Sequence, residues 1–525
     1  MKVGFLFGAG AELSYDMPNG GKFALDIFRR DTSLAKEEFK KNRSRIDLGS
    51  NYATSWLPED FETKNIGSFG ESVFNHIISD TITNNRSYIV ARINGLDRVA
   101  ESIINNTHVT YRQKVSDDLN KNFSDINIRH LLSYNEWFSE GNSLFNSRYF
   151  ALLLVYYNEY TGFSDSDKES LGEIIKSIFQ LHIGALSEKL SRNIQENIFS
   201  KDEMNLDIFD DLGSSLSINY HSAGVKGLEL LSKVKIKDMH WIVEFGFELI
   251  EKIYADVLDY KSVIDSYWHY LYFPSTEWAK FCKISVFLHS VREYIANECP
   301  YDKDKTGYYD DLASQNRFTV STIATSNYVN SLIGEKLKEF NDKLIYLNGS
   351  INDYYDPYMN AIISYEDFKS YKHFAVPLIF TQSGTKPMTS IDMSIKYVEY
   401  YNELKSSDAI CSIGFGFNPD DEHINGIIRS LVDRDNKTLI IVDVVNDKSE
   451  SERIDELAQK LKITNDQNIK LVIVDYERTC ESLPWIDKVY ELISNPVNRE
   501  LIEWQCYSYH ISDLINLIMS GFLKN

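Results

Sequence analysis

KVGFLFGAGAELSYDMP, residues 2–18, is the stretch on which the fold turns. Its first six residues are rich in branched and aromatic side chains, show no polar alternation, and run straight into Gly8-Ala9-Gly10. A strand buried on both faces of a parallel sheet reads this way. A Gly-x-Gly directly after such a strand lets backbone N–H groups approach a phosphate at a helix start. The third glycine of a dehydrogenase fingerprint falls at Leu13, which counts against a Rossmann oxidoreductase. Taken alone, the glycine pair reads equally well as a tight turn of any α/β protein.

Six more apolar runs follow the same pattern: FTVSTIAT (318–325), LIYL (344–347), FAVPLIF (374–380), AICSI (409–413), TLIIVDV (438–444) and KLVIVD (470–475). They crowd into the second half of the chain, far from the first strand. Between them and that strand the pattern is helical. Leu171, Ile174, Ile175, Ile178, Phe179, Ile183, Leu186 and Leu190 recur at helical spacing behind a capping box at Ser166 and Glu169. Ile242, Phe245, Leu249, Ile253 and Val257 form a second stripe. The expected fold class is α/β: a Rossmann-like parallel sheet with a large, mainly helical insertion and a helical C-terminal tail. The discontinuous nucleotide domain is expected at 1–65 and 310–480, the insertion at 66–309 and the tail at 481–525.

A second glycine turn closes AICSI as Gly414-Phe415-Gly416-Phe417-Asn418-Pro419-Asp420-Asp421-Glu422-His423-Ile424-Asn425. Asn418 suits an N-cap, Pro419 the first helical position, and the acids after it the positive end of the helix dipole. Two other strands end in Ala324-Thr325-Ser326-Asn327-Tyr328 and Tyr346-Leu347-Asn348-Gly349-Ser350. In an open parallel sheet, ligands bind at the carboxyl ends of strands, so these segments should face one crevice. Thr381-Gln382-Ser383-Gly384-Thr385-Lys386-Pro387 ends a further strand and is a candidate wall of it.

The 525 residues are too many for one core, and 77 acids against 55 bases give a net charge of −22. Such a chain repels nucleic acid unless bases cluster, and the densest stretch, KEEFKKNRSR (36–45), is mixed in sign. Direct nucleic-acid binding is therefore not expected. The longest apolar run, YFALLLVYY (149–157), is about half of what a membrane span needs. Five scattered cysteines without a CxxC pair fit reduced thiols. A cytoplasmic protein that does not enter membranes is the expectation.

In order, GAGAELSYDMP, TSNYV, LNGS and GFGFNPDDEHIN resemble the motif set of the sirtuin-like family, in particular its bacterial NAD-consuming branch in anti-phage defence. The resemblance covers residues 1–30 and roughly 318–450, and the ordered set is more specific than any one motif. It implies an NAD+ glycohydrolase (NADase), a hydrolase with NAD as substrate, which depletes the cell of NAD in abortive infection. The zinc-binding cysteines of protein-deacylating members are absent, so the resemblance implies free-NAD chemistry and no metal. Carried over by position, Gly8, Ala9, Gly10, Ser14 and Pro18 belong to the loop around the phosphates and the nicotinamide ribose, and Asn327 orients the attacking water or the ribose. Gly414 and Gly416 approach the adenosine side, where Asp443 accepts from a ribose hydroxyl with Asn446 nearby. The family further implies a homo-oligomer or a separate sensing partner, with the helical insertion as its natural seat.

Two departures stand out. The family's catalytic histidine falls at Asn348, and the aspartate of its TTNYD-like segment at Val329. An amide takes up no proton, so general-base help of roughly 10²–10⁴-fold is missing at that position. Four readings stay open: orientation and oxocarbenium stabilisation alone, a replacement base, binding without cleavage as a catalytically silent nucleotide sensor, or a form inactivated by a His-to-Asn change. His423, one turn into the helix beyond the second glycine loop, is the candidate replacement base. His182 lies on an apolar stripe and reads as a core histidine, and Asp310-Asp311 reads as helix-start acids.

Overall fold

KVGFLF forms strand β1 (Lys2–Phe7), with five of its six residues buried. The structure is a computed structural model that describes residues 1–18, 20–69, 77, 81–104, 111–127, 143–184, 230, 239–255, 257–258, 260–380, 390–445, 448–464 and 466–494. The chain divides into two compact units. The first comprises Met1–Pro18, Thr32–Ser68 and Ile264–Asn525, and the second Asn19–Asp31 and Phe69–Val263.

In the first unit the strands after β1 are β2 (Thr319–Thr325), β3 (Leu344–Tyr346), β4 (Gly349–Asp356), β5 (Ala361–Ser364), β6 (Val376–Ile379), β7 (Ala409–Ile413), β8 (Thr438–Val444) and β9 (Ile469–Val474). Six of them form one parallel sheet in the order β3-β2-β1-β7-β8-β9. Counted within that sheet the order is 3-2-1-4-5-6, the doubly wound arrangement of Rossmann-like folds, and its winding reverses between β1 and β7. One rung, Tyr346–Thr325–Phe7–Ile413–Val442, marks the carboxyl edge of five strands. Helices Glu422–Asp433 and Glu450–Leu461 make the crossovers from β7 to β8 and from β8 to β9.

FAVPLIF departs from the expected parallel sheet. Its core is β6, which lies beside β4 in a separate antiparallel sheet of order β5-β4-β6. Pro377 lacks an N–H and suits an edge strand, and an apolar run does not say which sheet it joins. The run is buried because Phe374 packs on Phe39 and Phe281 at ring separations of 4.7 and 5.4 Å. Phe281 belongs to helix Trp278–Asn297, whose Arg292 donates from Nε to the Ile351 carbonyl of β4 at 2.8 Å. Residues 264–309, expected in the insertion, thus pack within the sheet unit, while residues 19–31, expected in the nucleotide domain, belong to the helical unit. Helical periodicity shows that a face is buried without naming what buries it.

The start of the expected tail is the helix Trp485–Ser494, and Trp485 is buried against Phe5 and Tyr308. That helix therefore covers the sheet. Residues 495–525 of the expected tail lie outside the described residues.

Every described element of the second unit is a helix. Helix Arg148–Glu159 buries Tyr149 through Tyr156 without a break, which explains the longest apolar run of the chain. Helix Asp165–Gly184 buries Leu171, Ile174, Ile175, Ile178 and Phe179. Its cap lies two residues before the expected Ser166–Glu169 box: Ser164 Oγ accepts from the Asp167 amide at 3.1 Å and donates to the Asp167 carboxylate at 2.9 Å. Leu186 and Leu190, the last positions of the expected stripe, lie outside the described residues. His182 is buried, and burial pushes its pKa down to about 4, as befits a neutral core histidine. No described helix is long and apolar enough to cross a membrane.

Candidate functional site at the carboxyl edge of the sheet

The Tyr346–Val442 rung brings the marked segments together. Gly8 and Gly414 each stand one residue beyond it, and Asp443 lies at the end of β8. Asn327 and Asn348 each stand two residues beyond it, on the adjacent strands β2 and β3. Leu347 N–H donates to Thr325 O at 2.9 Å, and Ser326 N–H to Phe7 O at 3.0 Å. These bonds extend the ladder past the rung and hold both asparagines at the edge.

The glycines have a cause other than the one expected. Gly8 N–H donates to Ile413 O at 2.9 Å and Gly10 N–H to Gly414 O at 2.9 Å. The two glycine turns are therefore packed on each other at the point where the winding reverses. A Cβ on Gly8 would stand 2.5 Å from the Gly414 oxygen, and one on Gly414 2.1 Å from the Ala11 nitrogen. Gly414 also has φ +64°, a conformation that L side chains rarely adopt. The amides of Gly8 and Gly10, expected to meet a phosphate, are already committed to the neighbouring turn. Ala9 and Gly416 are exposed. Ser14 donates to Ala11 O at 3.1 Å, and both Ser14 and Pro18 are half-buried. Leu13, where a dehydrogenase has its third glycine, is 52% exposed.

Asn327 is buried and fixed from two sides. Its Nδ2 donates to Gly8 O at 3.0 Å and to Tyr309 Oη at 3.2 Å, while its own N–H is taken by Thr325 Oγ1 at 3.0 Å. Tyr309 Oη in turn donates to Glu12 Oε1 at 3.0 Å. Glu12, in the 3-10 turn Ala9–Tyr15, is 4% exposed. Burial pushes its pKa up to about 8, although the hydrogen bonds from Tyr309 and Asn327 pull the other way. A carboxyl group that stays protonated at neutral pH thus sits inside the glycine loop. Neither Glu12 nor Tyr309 is among the residues expected from the sequence. The signal was a Glu in an otherwise apolar turn, and a Tyr masked by the acids that follow it.

Those acids are ion-paired. Asp310 meets Lys336 at 2.7 Å and accepts from Tyr15 Oη at 2.9 Å; burial raises its pKa, but these partners and the Gly307 N–H hold it below the usual carboxylate range. Asp311 meets Arg478 at 2.7 Å and accepts from Trp485 Nε1 at 2.9 Å. Val329, where the family has an aspartate, is buried at the start of helix Asn330–Lys336 and supplies no acid.

Asn348 and His423 meet. His423 Nε2 lies 3.0 Å from Asn348 Oδ1, and Asn348 Nδ2 donates to Asp421 Oδ1 at 3.4 Å. A carboxylate only accepts, so the amide turns its NH2 to Asp421 and its oxygen to His423, whose Nε2 must then carry the proton. The imidazole stands edge-on to the Tyr397 ring at 5.4 Å, and Tyr397 Oη donates to Leu347 O at 2.5 Å. Asn418 caps as expected in position but not in kind: its side chain makes no cap bond, and its carbonyl receives Asn425 Nδ2 at 2.9 Å.

Asp443, expected to await a ribose hydroxyl, is engaged by Arg453, which bonds both its carboxylate and the Val444 carbonyl. Its other oxygen accepts from the Val444 amide at 2.9 Å. Asn446 and the Thr381–Pro387 segment lie outside the described residues. Set against protein-family models, curated proteins and solved structures, the chain matches none of them.

Proposed function

We propose that the crevice at the carboxyl edge of the sheet binds NAD+ and hydrolyses its nicotinamide–ribose bond. The observation that carries this reading is the hydrogen bond between His423 and Asn348, which holds an oriented imidazole beside Asn348, the residue that stands where the motif of the resembling family has its histidine. Asn327, fixed by Gly8 and Tyr309, is the second polar group at that edge. In the reaction a water oxygen bonds to the ribose carbon as the carbon–nitrogen bond breaks. The bonding pair goes to the pyridinium nitrogen, giving neutral nicotinamide. The imidazole of His423, oriented by Asn348, takes the water's proton. Asn348 serves as orienter and Asp421 fixes the amide.

The biological setting follows from the motif resemblance: NAD depletion as an abortive response to phage, with the helical unit available for self-association or a sensing partner. The test is nicotinamide release from NAD+ by the chain and by Asn348→His, with Asn327→Ala as the control that should lose it. No release from either protein defeats the hydrolase reading.

A second reading is favoured by the double engagement of Asn348 between His423 and Asp421, which suits a silent nucleotide sensor. Tight NAD+ binding without release, unchanged in His423→Ala, identifies that case.

A further inference from the structure

Glu12 faces neutral groups. Tyr309 on helix Tyr308–Ser314 donates to it, the Asn327 amide beyond β2 reaches it, and Tyr346 on β3 is a further neighbour. Tyr15, from the same turn as Glu12, stacks on Tyr309 with ring centres 5.6 Å apart. The charged pair on the surrounding helices, Asp310 with Lys336, is closed on itself at 2.7 Å. Among the described residues no cation pairs with Glu12. Ionising a buried carboxyl without a counter-charge is strongly disfavoured, so the proton stays. A positive charge brought within roughly 4–6 Å reverses that preference.

We propose that Glu12 is the counter-charge for a cationic ring bound at the carboxyl ends of β1 and β2. The ligand class is an N-alkylpyridinium, the nicotinamide of an oxidised dinucleotide, and the inference rests on the NAD+ reading above. As the ring enters, Glu12 loses its proton to solvent and its carboxylate faces the ring's positive charge. Charge and protons balance: one cation is taken up and one proton is released. The site therefore prefers the cationic oxidised ring to the neutral reduced one.

Calorimetry of the full chain at pH 7, in two buffers of different ionisation enthalpy, counts the protons. The probes are carbocyclic NAD+, whose ring oxygen is replaced by methylene to prevent cleavage, and NADH. Carbocyclic NAD+ should release about one proton per site and NADH none. Glu12→Gln, which keeps an acceptor for Tyr309, should abolish the release and narrow the preference for the oxidised form by at least about tenfold. Tyr309→Phe, which keeps the carboxyl, should retain the release. Proton release unchanged in Glu12→Gln, or equal for both dinucleotides, overturns the inference. Binding of both dinucleotides with no proton release overturns it while leaving the dinucleotide crevice standing. Failure of either dinucleotide to bind removes the crevice reading and this inference together.

Discussion

The Gly10 amide donates to the Gly414 carbonyl at 2.9 Å, so the two glycine-rich turns of this sheet are bonded to each other. A Gly-x-Gly after a strand is read as a phosphate cradle because its backbone can be approached closely. Here the close approach is made by the other Gly-x-Gly, across the point where the strand order reverses. Two glycine turns therefore locate the crevice, while the groups that would touch a ligand there are a separate question.

Gly414→Ala should destabilise the protein by at least about 2 kcal/mol, through the positive φ and the backbone overlap together. Gly416→Ala should cost less than about 1 kcal/mol, since its Cβ would meet the Asn418 side chain, at 3.2 Å or more. Urea unfolding of the two variants decides the matter. Equal costs would mean that the turns are not locked by Gly414.

His423→Ala should lower the rate of nicotinamide release by roughly 10²–10⁴-fold, the range for loss of a general base. Asn348→Ala should lower it less, because the imidazole remains and loses only its orienting amide. Single-turnover measurements on the two variants give the ranking. A larger loss for Asn348→Ala would assign the chemistry to the amide.

The strands were legible because they are short runs rich in branched apolar residues, buried throughout in β7 and in five of six residues of β1, and β1 runs straight into the first glycine turn. β4 was not legible. SINDYYD alternates poorly, and it is held by Arg292 from a distant helix and by Pro377 and Val376 on its neighbour. At the site, the places of Asn327 and Asn348 at strand ends and of His423 in the helix after the second glycine turn were legible from the strand pattern. Glu12 and Tyr309 were not, because their pairing spans 297 residues and burial, which gives Glu12 its chemistry, is a tertiary property.

Asp443→Ala should cost stability as well as any ligand contact. Arg453 is only 4% exposed and would lose its counter-charge, while the 46% exposure of the Asp443 side chain softens the loss to about 2 kcal/mol. Arg453→Leu combined with Asp443→Ala should recover part of it by leaving no unpaired buried charge. Thermal unfolding of the single and double variants checks this, and strict additivity would deny the coupling.

Glu12 also gives stability a pH dependence of definite sign. Its folded pKa is raised from 4.5 to about 8, so between those values the folded chain keeps a proton that the unfolded chain has lost. Stability from this group is full below the unfolded value and falls as pH rises through the window, by at most about 1.4 kcal/mol per pH unit. Glu12→Gln cannot titrate yet still accepts from Tyr309. It should therefore unfold with a flatter pH profile from pH 5 to pH 8 and overtake the parent protein in stability toward the upper end. Urea unfolding at one-unit pH steps measures the difference between the two proteins, in which every other titrating group cancels. Parallel profiles would show that Glu12 is ionised in the folded chain, and the counter-charge role would then have no proton to release.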